Sequence, residues 1–295
     1  MIYKSMGQQK YIFWLLLNLK KIYKILLRER GRLMSITVNA DINKEVLNNI
    51  TVTKLMEDES YKLCVKADAL RLANMFQESV SKYLRSILIN RENIDAYYGL
   101  AMSYKNLNNY QKAIDTLDKA IAIKDDDFSL FYELGVCYLL SGKPCCALKF
   151  LIRSIQLNPY NLNAQIQLAL AHELVGEEEL ALMIYQRIIE VAPDFIKAYK
   201  HKAALLMSLE MYKDACVVFN TILKINPSYI KALLGMGICF EKLQKTVNAI
   251  RYYKKFLSRE PKSLQVEYVK DRLNILKRNK VCKKQLALVT NTVNV

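Results

Sequence analysis

The chain is poor in the groupings from which active sites are assembled. It has two isolated histidines, His172 and His201, and contains no His-x-x-x-His pair, no Gly-rich phosphate loop and no Gly-x-Ser-x-Gly elbow. No catalytic residue, cofactor, metal or small-molecule substrate is therefore expected, and the chain reads as a non-enzyme. Cysteine is more plentiful, at seven, but the count is odd and no Cys-x-x-Cys spacing occurs. The one adjacent pair, Cys145-Cys146, points two side chains in different directions on one helix, so zinc ligation has no cluster to use. Free thiols in helices behave as small hydrophobes and fit a reducing, cytoplasmic setting. Long apolar runs are missing too. Tyr11 to Leu19 is apolar, but Lys20, Lys21 and Lys24 interrupt it well short of the ~20 residues that span a bilayer. Those lysines also stand where a secretory cleavage site would need small residues. Glycine and proline are scarce, at eight and five, and with 52% hydrophobic residues the composition favours helix around a large core.

What is present is a repeat. From Ile94 to Asp127 the chain reads as two short amphipathic helices: Tyr97, Leu100, Ala101 and Tyr104 share one face, and Ala113, Leu117, Ala120 and Ile121 share another. Asn108-Asn109 supplies the turn between them. Sliding the sequence by 34 residues aligns a small residue six times, at Ala67, Ala101, Gly135, Ala169, Ala203 and Gly237. A second small column holds Ser79, Ala113, Ala147, Ala181, Ala215 and Ala249. A third is bulky (Tyr83, Leu117, Leu151, Tyr185, Phe219, Tyr253) and a fourth aliphatic (Ile87, Ile121, Ile155, Ile189, Leu223, Leu257). Small columns let paired helices approach closely. Prolines at Pro159, Pro193, Pro227 and Pro261 close four copies, each able to end one helix before the next begins.

Period, small columns and closing prolines together resemble the tetratricopeptide repeat family. The resemblance implies an all-α protein: an α-solenoid of about six helix-turn-helix repeats wound into a right-handed superhelix, closed by a C-terminal capping helix. The copies fall at 60–93, 94–127, 128–161, 162–195, 196–229 and 230–263, with the capping helix at 264–280 and a basic tail at 281–295. The first copy is degenerate, with Ser79 and Ser86 for alanines and Lys66 for leucine, as an end repeat should be. In copy five Lys202 takes that same leucine column, where its stem can snorkel.

In such arrays the first helix of each copy lines a concave groove. Carried onto this chain, the groove would expose Asp68, Arg71, Tyr98, Met102, Lys105, Tyr132, Val136, Leu139, Ile166, Leu170, Lys197, Lys200, Lys231, Leu234 and Ile238, with His201 beside the lysines. An apolar, aromatic centre and a lysine-rich C-terminal third suit a protein or peptide segment carrying acidic residues, for complex assembly or chaperone-like roles. Family clamps for a partner's C-terminal carboxylate use Lys and Asn from successive copies. Here Tyr132, Val136 and Gln167 stand where those are needed, which argues against a chaperone-tail clamp. His172 fills a column held elsewhere by Tyr104 and Tyr138 and is expected to be buried and hydrogen-bonded.

Formal net charge is +16, concentrated at the ends: +7 in residues 1–33 and +6 in residues 270–295. Basic tails raise a second reading, nucleic-acid binding through the ends, although aromatic-basic interleaving is absent from the C-terminal one. Residues 34–59 read as a linker and N-terminal cap, with a short helix from Asp41 to about Asn49. For residues 1–33 two readings stand together. One is a basic interfacial helix with Trp14 and Tyr11 at headgroup depth, giving peripheral membrane contact. The other is a true start at Met34, since Glu29-Arg30-Gly31-Arg32 can be encoded by purine-rich codons resembling a bacterial ribosome-binding site.

Overall fold

The computed structural model describes residues 59–262 and 264–278. The chain divides into two units, Met1–Lys62 and Leu63–Val295. Of the first, only the opening turn of one helix is described, so the expectations for residues 1–58 and for the tail at 281–295 lie outside the described residues.

The described residues form 13 helices and no strand. They pair as α1 (Glu59–Leu72) with α2 (Phe76–Ile89), α3 (Ile94–Asn106) with α4 (Tyr110–Ile123), α5 (Phe128–Leu140) with α6 (Pro144–Leu157), and α7 (Leu162–Val175) with α8 (Glu178–Val191). Then follow α9 (Ile196–Ser208) with α10 (Tyr212–Ile225), and α11 (Ile230–Lys242) with α12 (Thr246–Arg259). A last helix, α13, spans 266–278, inside the range expected for the cap. From α2 to α12 each helix packs against the next along the chain, which is the connectivity of an α-solenoid.

Each hairpin turns in the same way. The residues at 74, 108, 142, 176, 210 and 244 all have positive φ, from 57° at Asn108 to 84° at Gly176. The next backbone N–H then reaches back over the end of the first helix, as Asn109 to Tyr104 (2.9 Å) and Met211 to Leu206 (2.8 Å) do, closing a Schellman-type cap. Glycine and asparagine tolerate this conformation; Glu210 and Gln244 hold it against a steric cost. Entry into the first helices is less uniform. Asn93, Asp127 and Asn161 accept hydrogen bonds from backbone N–H groups of α3, α5 and α7 (3.1, 2.9 and 3.1 Å), satisfying donors left open at a helix start. At the same positions α9 and α11 start after Phe195 and Tyr229, with no side-chain cap.

Packing follows the columns. Both small columns are fully buried, and the bulky column is buried throughout. A β-carbon on Gly135 would lie 2.6 Å from Leu151 Cγ, and one on Gly237 2.5 Å from Tyr253 Cδ1, so the bulky side chain seats directly on the small residue of its own repeat. In two other copies the bulky side chain meets a glycine of the following repeat. A β-carbon on Gly99 would lie 2.3 Å from Tyr83 Cζ, and one on Gly235 2.3 Å from Phe219 Cζ. Ser86, Ala120, Ser154, Ile188, Ile222 and Phe256 form one further buried column. The serines of the degenerate first repeat fit it without strain: Ser79 Oγ and Ser103 Oγ share a buried hydrogen bond of 2.8 Å. Val269, Leu273 and Leu276 of α13 bury against Tyr253 and Phe256, so the cap covers the sixth repeat's apolar face.

Candidate peptide-binding groove

The first helices of neighbouring repeats meet as well: α5 touches α7, and α7 touches α9. Side chains cross between them. Lys105 Nζ on α3 donates to Glu133 Oε2 on α5 at 2.5 Å, and Lys197 Nζ on α9 donates to Asn163 Oδ1 on α7 at 2.7 Å. Glu241 on α11 accepts from Arg272 Nε on α13 at 2.8 Å and from the Tyr253 hydroxyl at 2.7 Å. Tyr185 donates to Glu173 in the matching way (2.5 Å), and Tyr83 donates to Asp68 (2.7 Å), which also pairs with Arg71. Where the bulky column is Leu151 or Phe219, the position twelve residues earlier is apolar, Leu139 or Met207.

Placed on this frame, the expected groove residues separate into three groups. Tyr98, Lys105, Tyr132, Val136, Leu139, Leu170, Lys197, His201 and Ile238 are half-buried, and Lys200 and Lys231 are exposed. Met102, Ile166 and Leu234 are buried instead. Met102 packs with Leu130 and Leu134 of the next repeat, Ile166 with Ala198 and Leu205 of α9, and Leu234 beneath the cap residues Val269 and Leu273. They support the face from below and offer it no surface. Each was placed by its helical position, which fixes a direction but says nothing of what the next element covers.

Tyr98 and Tyr132 belong to one local environment with Glu133. Burial, and then the Glu133 carboxylate, pushes the Tyr98 hydroxyl up to about 12, and the same two causes raise Tyr132. Both hydroxyls thus stay protonated and can donate. His201 is lowered by burial, then by Lys200 and Lys197, so it is neutral near pH 7. Its ring stacks on Tyr185 with centroids 5.9 Å apart, which corrects any expectation of an exposed imidazole. His172 is buried with Nδ1 2.5 Å from Glu177 Oε2, as its column implied. Lys200 and Lys231 enter no salt bridge among the described residues.

Four further side chains of α5 and α7 were not anticipated. Glu133 and Asn163 hold the lysines, and Leu140 and Leu174, one repeat apart, stand about half exposed at the ends of α5 and α7. The 34-residue spacing from Leu140 to Leu174 was the available signal. An open cavity of about 660 Å³ lies to one side, lined by Leu107, Tyr110, Leu140 and Lys143, and the expected groove residues do not border it. Among the described residues no cluster of His, Cys, Asp and Glu is arranged to hold a metal ion, and no helix is long and apolar enough to cross a membrane.

Comparison with known proteins agrees with this geometry. Two family models, both described as tetratricopeptide repeat, match residues 94–127 and 231–263. No curated protein matches the chain in sequence. Among solved structures, PilW, a widely conserved type IV pilus biogenesis factor, is 18% identical with a TM-score of 0.63, over 72% of this chain and 98% of its own. PilF of Pseudomonas aeruginosa is 14% identical with a TM-score of 0.59, over 73% and 98%. YrrB, a repeat protein with an unusual peptide-binding site, is 22% identical with a TM-score of 0.50, over 61% and 94%. At these identities the likeness concerns the fold.

Proposed function

We propose that this chain, which matches tetratricopeptide repeat models at 94–127 and 231–263, is a protein-interaction scaffold that holds a partner segment along the face built by α3, α5, α7, α9 and α11. The segment is apolar where it meets Tyr98, Tyr132, Val136, Leu139 and Leu170, and acidic where it meets Lys197, Lys200 and Lys231. One observation carries the reading: the N-terminal cations of the face are already neutralised by carboxylates, whereas Lys200 and Lys231 are exposed without one. Carboxylates of a partner complete those two, while burial of the aromatic centre supplies most of the affinity.

A fluorescein-labelled peptide with Leu and Phe on one flank and Asp and Glu on the other tests this by polarisation. Replacing Lys197, Lys200 and Lys231 by Glu is expected to weaken binding by more than about tenfold, or ~1.4 kcal/mol. Equal affinity for that variant, or for a Gln/Asn version of the peptide, would overturn the reading.

A further inference from the structure

Helix α13 has a second surface that the sixth repeat does not use. Val269, Leu273 and Leu276 face inward. Tyr268 and Ile275, seven residues apart and so on one flank, are 48% and 41% exposed, and Leu264 in the preceding turn is fully exposed. Across the outer surface from this stripe stand Lys270 and Lys277, with Arg278 between the flanks, all exposed. Glu267 and Asp271 share that surface, so the charge of α13 alone is modest; the preceding helix α12 carries exposed Arg251, Lys254, Lys255 and Arg259. Residues 246–278 hold nine Lys and Arg against three Asp and Glu, and of the nine only Arg272 forms a salt bridge among the described residues. Residues 60–245 hold 22 against 19.

We infer that the outer face of this terminal cap docks on an anionic membrane surface, with the cations among lipid headgroups and Leu264, Tyr268 and Ile275 at the boundary with the acyl chains. The choice of occupant rests on charge complementarity joined to the apolar stripe. A nucleic acid answers the cations but offers Leu264 and Ile275 nothing to bury against, whereas a bilayer interface takes both. This docking involves neither residues 1–33 nor the groove, so a bound partner segment and a membrane can be held at the same time.

The full-length chain is sedimented with phosphatidylcholine vesicles, with and without phosphatidylserine. Binding is expected only with the anionic lipid, and to fall with added salt. The variants K270E/K277E/R278E and L264S/I275S, each checked for an unchanged melting temperature, are both expected to lose at least about tenfold in partitioning, the first by removing attraction to the anionic headgroups and the second by removing the apolar stripe. A full-length chain carrying Trp14→Phe and Tyr268→Trp reports the location directly: its emission shifts to the blue on phosphatidylserine vesicles. No binding, undiminished binding by both variants, or an unshifted emission overturns the inference. So does a charge-reversed variant that loses binding while L264S/I275S keeps it and duplex RNA competes, because the surface would then be reading phosphates alone.

Discussion

Repeats two to four and repeats five and six build the same hairpin from different local chemistry. In the earlier group the first helices are capped by Asn93, Asp127 and Asn161, the turns use Asn108, Gly142 and Gly176, and Lys105 is answered by Glu133. In the later group Phe195 and Tyr229 replace the caps and pack as partly buried hydrophobes, Glu210 and Gln244 occupy the left-handed turns, and Lys200 and Lys231 face outward. The earlier repeats are specified locally, and the later ones depend on contacts between helices. A solenoid tolerates this because each repeat's stability is its own contribution plus its interfaces with neighbours. The segment with the weaker local signals is also the one with uncommitted charge.

The largest test of this difference is Phe219→Ala, which removes a ring seated between Ala203 and Gly235. It is expected to cost about 3–5 kcal/mol. Hydrogen exchange should rise across α9 to α12 while α3 to α6 stay protected; a uniform rise through the whole array would erase the distinction. Next comes the contrast in charge. Lys105→Ala strands Glu133, whose side chain is only 12% exposed, and should cost about 1–3 kcal/mol in denaturant titrations, whereas Lys200→Ala should stay within about 0.5 kcal/mol. Equal costs would mean the two lysines do the same work.

Smaller effects sharpen the local picture. Asn161→Ala should lose about 1 kcal/mol with its cap. Glu210→Gly and Gln244→Gly should each gain up to about 1 kcal/mol by relieving the left-handed turn, read as a rise in melting temperature. The smallest effect is titration of His201. Its folded pKa lies below the unfolded value, so the unfolded chain binds the proton more readily and stability should decline as pH falls through about 6.5. His201→Gln should flatten part of that decline; an unchanged slope would assign it to other groups.

Much of this architecture was legible in the sequence, because the small and bulky columns recur at one spacing and burial acts on each copy alike. Of these turns the sequence shows only the one at Asn108-Asn109, and not its hand, since the six residues that adopt the left-handed conformation are of four kinds and share a backbone geometry but no side-chain type. The cross-repeat seating of Tyr83 on Gly99 was not visible within a single 34-residue window, because the pair belongs to two copies. In the candidate groove, Lys200 and Lys231 sit at the surface as their positions implied, while Met102, Ile166 and Leu234 do not. An exposed direction on one helix becomes core when the neighbouring helix closes over it, and a single-helix pattern carries no information about that closure.

The seating of each bulky residue between its own repeat and the next restricts how such a chain can be lengthened by duplication. A crossover joining Leu117 to the copy containing Gly235 would leave a gap where the Phe219 ring belongs. Copies of this array are therefore not interchangeable parts, and insertions that survive selection should carry both sides of a seam together.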